Sequence, residues 1–253
     1  MKLKMHKLIK QNLKKMNYDL RASGLYWKTS VSNMVLIKEF RKLFQKYAMG
    51  KVLDAGAGHL LYRDLLSKYS ESYESLDFEK THPELTYVAD IQNMKNINSD
   101  SYDFIFCRNV LEHVPEPEKG FSEIGRILKK NKYALITVPH LGYLHNEPHD
   151  YWRFTKYSLK NLAKKNNLEI IKLEEMGGLV AFNAYIFQTI FMGLTYGIPI
   201  VGKICLFLNL LIQKILLYLD KIIGMKRLFP LDYLILVRKN NMGNPKNSER
   251  LIK

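Results

Sequence analysis

Apolar and polar positions follow two periodicities that alternate along the chain. Short apolar runs that end in a polar residue or a glycine predict buried strands, whereas apolar residues three and four positions apart predict amphipathic helices. Helices are expected at 32–49, from about Leu60, at 117–130 and at 156–166. Seven strands are expected, at 52–54, 74–77, 86–89, 102–107, 133–138, 168–173 and 229–238. This order predicts an α/β protein with a seven-stranded sheet and helices on both faces.

The first 20 residues predict a basic amphipathic helix. Its apolar positions recur at helical spacing, at Met5, Ile9, Leu13, Met16 and Leu20, and lysines occupy much of the rest. Such a helix either packs on the protein through its apolar face or lies on a membrane surface. No apolar stretch typical of a secretory signal follows it.

A second departure from the α/β pattern lies between the sixth and seventh strands. Residues 177–202 contain no charged residue, and a further apolar run reaches Leu219, interrupted only by Lys214 after Lys203. This length suffices to span a bilayer. If the seventh strand completes the same sheet, however, it must lie on the same side of the membrane as the first six strands. We therefore expect a helical hairpin that turns at 197–202. Because Lys203 and Lys214 oppose full insertion, an interfacial hairpin is favoured, with a dimer interface or a cap on the domain as alternatives.

The segment from Lys51 to Leu60 carries the first candidate chemistry. A buried strand ends in Asp54, and Gly56 and Gly58 follow in a tight turn. Glycines there let the backbone approach a ligand, and a helix from about Leu60 would aim its first N–H groups at the same point. Asp77 ends the next strand about 20 residues later, the spacing of an acid that binds a ribose. Leu61 replaces the small third residue of a dinucleotide fingerprint, and Asp54 suits a cationic ligand better than a phosphate.

The run from Val52 to Gly58, Val-Leu-Asp-Ala-Gly-Ala-Gly, resembles the first motif of class I S-adenosylmethionine-dependent methyltransferases. The run 109–115 is similar to the fourth motif of the small-molecule members, and 150–155 resembles bacterial members linked to saccharide or lipid modification. The resemblance implies a Rossmann-like fold and S-adenosylmethionine as the cofactor.

The resemblance also assigns residues to the cofactor. It implies that Asp90 accepts a hydrogen bond from the adenine amino group, although an acid at a strand end also caps turns, and that Ile91 flanks the ring. It places Asn109 beside the methionine part of the cofactor. With these, the predicted cofactor site comprises Asp54, Gly56, Gly58, Asp77, Phe78, Asp90, Ile91 and Asn109.

The connector after the fifth strand, 139–155, holds the candidate catalytic groups. It is rich in histidine, acids and aromatics, and it follows a strand at its carboxyl end, where sites of open sheets lie. A hydroxyl acceptor would need a general base, for which His149, His113 and His140 are candidates. Glu112 and His113 could instead hold a turn, and Arg153 could pair with Asp150 to hold the loop. No metal is expected, because Pro148 breaks the helix that would align His145 with His149.

These patterns divide the chain into five segments. They are an N-terminal helix and cap at 1–48, a cofactor-binding domain at 49–176, the hydrophobic insertion at 177–228, the last strand at 229–239 and a polar tail at 240–253. The insertion departs from the family core, so it is expected to set the substrate or the location.

A net charge of +15 predicts attraction to an anionic partner. The two cysteines match no metal or disulfide spacing, which indicates a reducing compartment. We therefore expect a cytoplasmic protein, peripheral at the inner face of the membrane, that methylates a small-molecule, saccharide or lipid-linked acceptor and could form a homodimer through the insertion. An RNA methyltransferase and a non-catalytic membrane-attached module are the alternatives. Nucleic acid is disfavoured because the motifs of base methylation are missing, although Tyr151 and Trp152 could stack on a base.

Overall fold

The computed structural model describes residues 2–22 and 26–240, so all of the predicted polar tail except Asn240 lies outside the described residues. Seven strands form one sheet in the order β3-β2-β1-β4-β5-β7-β6. Their bounds are β1 Lys51–Ala55, β2 Ser72–Asp77, β3 Tyr87–Val88, β4 Tyr102–Arg108, β5 Leu128–Pro139, β6 Leu168–Met176 and β7 Asp232–Lys239. This confirms the predicted Rossmann-like α/β fold with an apolar helical insertion between strands six and seven.

The register of the parallel strands brings their carboxyl ends to one edge. Ala55 at the end of β1 pairs with Leu76 of β2 on one side and with Cys107 of β4 on the other. Arg108 at the end of β4 pairs with Thr137 of β5. The chain leaves these four strands on the same side of the sheet, where ligands bind in open α/β folds.

Eight α-helices occur in the described chain. Their bounds are α1 Lys2–Ala22, α2 Tyr26–Thr29, α3 Val31–Tyr47, α4 Arg63–Ser67, α5 Pro117–Ile127, α6 Lys156–Lys165, α7 Leu179–Thr195 and α8 Val201–Ile223. Helix α5 ends three residues earlier than predicted, because Leu128 adopts an extended conformation and begins β5. A single 3₁₀ turn at Leu111–His113 follows β4.

Two compact units divide the chain. One comprises Met1–Glu39, Leu141–Tyr143 and Glu175–Asp232, and the other comprises Phe40–His140, Leu144–Glu174 and Tyr233–Lys253. The second unit contains most of the sheet and its core, in which Phe44 packs edge-on against Phe104 and Phe106. The N-terminal helix and the insertion, which the sequence suggested as separate segments, belong to the same unit.

In the first unit, the apolar stripe of α1 is covered. Leu13, Met16 and Leu20 are buried in a cluster with Met192 of α7. This part of the apolar face of α1 therefore packs on the protein, as one of the two interpretations of the N-terminal helix expected. On the same helix, Lys4, Lys7, Lys14 and Lys15 are exposed.

Helices α7 and α8 form the predicted hairpin, and Asp220 ties its two ends together. The Asp220 carboxylate accepts hydrogen bonds from the backbone N–H groups of Gly178, Val180 and Ala181, at 2.9, 3.0 and 3.0 Å. These donors open α7 and would otherwise lack helical partners. A buried carboxylate near the end of α8 thus caps the beginning of α7.

We expect Asp220→Ala to lower the free energy of unfolding by about 2–4 kcal/mol, because three buried N–H groups lose a charged acceptor. Urea unfolding followed by circular dichroism measures the change. Asp64→Ala is the matched control, since the Asp64 side chain is 98% exposed. Equal stability of the two variants would contradict the capping role.

Candidate active site

Two glycines shape the turn that follows β1, and they do so differently. Gly56 has a φ of +84°, and a Cβ there would lie 2.0 Å from Cγ2 of Val110 in the loop after β4. Gly58 has a φ of +52°, but a Cβ there would meet nothing within 4 Å. Gly56 is therefore needed for the packing of two loops, whereas Gly58 leaves open space beside the backbone that a ligand can use.

The helix predicted to begin near Leu60 is present, but it starts three residues later. Residues 58–62 form turns, and α4 begins only at Arg63. Leu60 has a φ of +57°, a left-handed conformation that a right-handed helix cannot include. The N–H groups of a helix therefore do not point at the glycine turn.

The Asp77 carboxylate lies at the glycine turn. The backbone N–H of Gly58 donates a 2.7 Å hydrogen bond to Oδ2 of Asp77, at the end of β2. The carboxylate is thus fixed at the glycine turn, where the ribose-binding acid is predicted. The next side chain, Phe78, is 68% exposed and is available to a ligand.

Asp54 is buried under the same turn. Its carboxylate accepts a 3.0 Å hydrogen bond from the Tyr73 hydroxyl. The pKa of Asp54 is raised to about 7, chiefly by burial and also by the nearby charge of Asp77, against the lowering effects of the Tyr73 hydrogen bond and the charge of Arg108. A cationic ligand in this place would favour the ionised carboxylate, in line with the preference expected from the sequence.

Asp90 and Ile91 follow β3. Both carboxylate oxygens of Asp90 accept from the Gln92 side-chain amide, and Oδ1 also accepts from its backbone N–H at 2.8 Å. Asp90 thus caps a turn, the alternative that its position at a strand end left open. Ile91 is 3% exposed and belongs to the core. Neither arrangement by itself points to an adenine pocket.

Asn109 is held in a left-handed conformation at the end of β4. Its φ is +51°, its N–H donates to the Thr137 carbonyl at 2.9 Å, and its side-chain Oδ1 accepts from the Thr137 hydroxyl at 3.2 Å. Asn tolerates this conformation better than most residues. The strained backbone fixes the direction in which the 110–115 loop leaves the sheet.

The three candidate bases have different surroundings. Nδ1 of His140 donates a 2.6 Å hydrogen bond to the Phe154 carbonyl, and the His140 ring packs on Tyr233. His149 is exposed, and its Nδ1 lies 3.2 Å from the Tyr151 hydroxyl. His113 Nδ1 lies 2.6 Å from the backbone carbonyl of His149, and burial lowers the pKa of His113. The structure therefore joins the His113 side chain to the His149 backbone, and places the His149 ring beside Tyr151 and the His140 ring beside Tyr233.

The loop 144–154 is fastened to the loop after β4. The Glu112 carbonyl accepts from the backbone N–H of Tyr151 at 2.8 Å, and the Trp152 indole donates to the Val114 carbonyl at 3.0 Å. Arg153 binds Asp150 through two hydrogen bonds of 2.6 and 2.9 Å, which confirms the predicted pairing. The proton-accepting groups are thus held at the carboxyl ends of β4 and β5.

A cluster of Glu112, His113 and His145 was missed as a unit by the sequence analysis. One ligand atom from each lies within 4.8 Å of the others. The sequence separates His145 from the other two residues by about 30 positions. The signal that could have found it is that both segments follow neighbouring parallel strands.

A carboxylate at the end of β2 beside an open glycine turn, with a buried acid below it and a sheet of this strand order, defines a class I S-adenosylmethionine-dependent methyltransferase. The chain belongs to the family described as methyltransferase domain, whose sequence profile matches residues 32–173, more than half of its length. The predicted class and cofactor are thereby confirmed.

Individual relatives are more distant. The chain is 28% identical over 151 residues to a ubiquinone biosynthesis O-methyltransferase of Coxiella burnetii, which covers 48% of this chain and 64% of that protein. It is 38% identical over 69 residues to phosphoethanolamine N-methyltransferase 2 of Caenorhabditis elegans, covering 26% and 15%. The matches thus span less than two thirds of these relatives.

A solved structure shares the fold. The phosphoethanolamine N-methyltransferase 2 of Haemonchus contortus, in complex with S-adenosyl-L-methionine, superposes with a TM-score of 0.53 at 17% identity, covering 81% of this chain and 52% of that one.

The raised pKa of Asp54 predicts a pH dependence of stability. Between pH 3.8 and about 7 the folded state keeps the proton that the unfolded state loses, so the free energy of unfolding falls as the pH rises. We expect this contribution of about 4 kcal/mol to vanish in Asp54→Asn. Urea unfolding of both proteins from pH 4 to 8 measures it. A constant difference between the two across this range would contradict the assignment.

Proposed function

We propose that the protein transfers the methyl group of S-adenosylmethionine to a small-molecule, saccharide or lipid-linked acceptor at the surface of a membrane. The Asp77 carboxylate, held at the glycine turn by the Gly58 N–H, carries the proposal for cofactor binding. The cofactor supplies an activated methyl group on a sulfonium centre. The protein has to hold it, align the acceptor and exclude water.

The carboxylate of Asp77 is the group proposed to grip the ribose. It is fixed by the Gly58 N–H, and its remaining lone pairs are available to hydroxyl groups. Asp54 is proposed to compensate the positive charge of the cofactor from below the turn. The proposed cofactor site also includes Phe78, Asp90, Ile91 and Asn109. Asp90 can bind adenine only if it gives up its hydrogen bonds to Gln92.

The acceptor is proposed to approach the loops after β4 and β5. The relatives carry the names of a ubiquinone-biosynthesis O-methyltransferase and a phosphoethanolamine N-methyltransferase, both of which indicate small acceptors. For a hydroxyl acceptor, His149 or His113 is proposed to take the proton, because the hydrogen bond from the His113 side chain to the His149 carbonyl joins the two loops that carry them. His140 is proposed to hold the loop through Phe154.

The proposed location at a membrane surface rests on the exposed face of α8. Apolar side chains at helical spacing are 44–66% exposed along its whole length, at Ile204, Leu208, Leu211, Ile215, Tyr218 and Ile222. By length and composition α8 could cross a membrane, and 17% of its most apolar window is buried. A continuous exposed apolar stripe of this kind needs a partner surface.

An anionic lipid surface is the proposed partner. The same unit carries the exposed lysines of α1, and the whole chain has a net charge of +15. Lys203 and Lys214 on α8 are also exposed, and a lysine at the centre of a spanning helix costs about 3 kcal/mol. A hairpin lying in the interface avoids that cost, because lysines there can extend to the headgroups.

We expect Asp77→Asn to bind S-adenosylmethionine at least tenfold more weakly, because a neutral amide is a poorer acceptor for the ribose hydroxyls. Isothermal titration calorimetry measures the affinity. Asp64→Asn is the control and should bind like the wild type. Unchanged affinity of Asp77→Asn would remove Asp77 from the site.

A second experiment tests the location. We expect the triple variant Ile204→Ser, Ile215→Ser, Ile222→Ser to lose at least tenfold in binding to vesicles that contain anionic lipid, because each change removes about 1–2 kcal/mol of apolar burial. Vesicle co-sedimentation measures it.

The matched control is Met49→Ser, Tyr157→Ser, which removes exposed apolar side chains in the other unit. Equal vesicle binding of the triple variant and the wild type would contradict the proposal. A wild-type dimer that becomes monomeric in the triple variant, without vesicle binding in either, would assign the stripe to a second copy of the chain instead.

A further inference from the structure

The cluster of Glu112, His113 and His145 has the composition of a metal site. Two imidazoles and one carboxylate converge, with one ligand atom from each within 4.8 Å of the others. Nε2 of His113 lies 3.7 Å from Oε1 of Glu112, and the two histidine rings are 4.8 Å apart between centroids. In a tetrahedral zinc site, ligand atoms lie about 3.4 Å apart at bonds of about 2.1 Å. Small rotations of these side chains would reach that geometry.

The orientation of His113 favours metal binding. Its Nδ1 lies 2.6 Å from the backbone carbonyl of His149. A carbonyl only accepts, so Nδ1 carries the proton, and the lone pair is on Nε2, the nitrogen that faces Glu112. Metal-binding histidines usually donate their second N–H to a carbonyl or a carboxylate in this way.

His145 has the same kind of support. Its Nδ1 lies 3.5 Å from Oδ2 of Asp150, whose side chain is 1% exposed. Asp150 is itself fixed by Arg153 at 2.6 Å and accepts from the His145 backbone N–H at 2.7 Å. A carboxylate behind a histidine orients the ring and increases its basicity toward a metal. Both histidines thus contact a group outside the cluster through Nδ1, the His149 carbonyl for His113 and the Asp150 carboxylate for His145.

The Glu112 side chain places a carboxyl group inside the protein. It is fully buried, and a buried carboxylate is commonly paired with a cation or binds a metal. The cluster is also next to the glycine turn, since Val110, two residues before Glu112, contacts Gly56. The same edge of the sheet therefore carries the cofactor turn and the cluster.

We propose that Glu112, His113 and His145 bind one divalent transition-metal ion, for which zinc is the best fit. Two nitrogens and one carboxylate oxygen match known zinc sites that leave a fourth position open. Magnesium is disfavoured because it prefers oxygen ligands only. The sequence suggests a different pair of histidines, His145 and His149, of which only His145 belongs to the cluster.

The role of the ion rests on the proposed function. In its open position the ion would bind the hydroxyl oxygen of the acceptor and lower the pKa of that hydroxyl. Because His113 would then be a ligand and not a base, the proton would pass to His149 or to water. The acceptor oxygen then forms a bond to the methyl carbon as the sulfur–methyl bond breaks, and the bonding electrons remain on sulfur. This assigns the acceptor to the oxygen nucleophiles.

The test is direct binding of cobalt(II) to the full-length protein after chelator treatment and dialysis, followed by the visible absorption of the bound ion, with zinc as the competitor. We expect one equivalent to bind the wild type and to be displaced by zinc but not by magnesium. His145→Ala should bind cobalt at least 100-fold more weakly, and Asp150→Asn 10- to 100-fold more weakly. His6→Ala removes an exposed histidine of α1 and should bind like the wild type.

Equal cobalt affinity of the wild type and His145→Ala, or no saturable absorption in the wild type, would overturn the proposal. Titration of the same samples with S-adenosylmethionine keeps the two proposals apart. Metal binding without cofactor binding would overturn the proposed function alone, and cofactor binding without metal binding would overturn the metal site alone.

Discussion

The contact between Gly56 and Val110 is the constraint on which the site depends. The missing side chain at position 56 lets the loop after β4 pack directly on the turn after β1. Every functional group proposed on the β4 side, from Asn109 to His113, follows from that approach. The parallel register of β1 and β4 makes the approach obligatory, because it brings both chain exits to the same level of the sheet.

The sequence predicts the central strands well because β1, β4 and β7 are largely buried on both faces and contain apolar runs. It also predicts the pairing of Asp150 with Arg153, which are three residues apart. It fails where a single backbone conformation decides the outcome. The left-handed Leu60 moves the start of α4 to Arg63, and nothing in the side chain of a leucine signals that conformation.

Contacts between distant segments are the other limit. His145 approaches Glu112 and His113 because two neighbouring strands deliver their loops to one place, and the linear spacing of histidines suggests a different group. Asp220 is similar, since its role as the cap of α7 depends on the fold of the hairpin and not on a local capping pattern. Such residues are found from topology, not from periodicity.

The hydrogen bond between Gly58 and Asp77 has a consequence for how a ligand is received. The carboxylate is already oriented by the backbone before anything binds, so no rotamer freedom has to be surrendered on association. The turn is likewise locked by its bonds to the Leu76 carbonyl. The proposed ribose site is therefore preorganised, and recognition there would be of the lock-and-key kind.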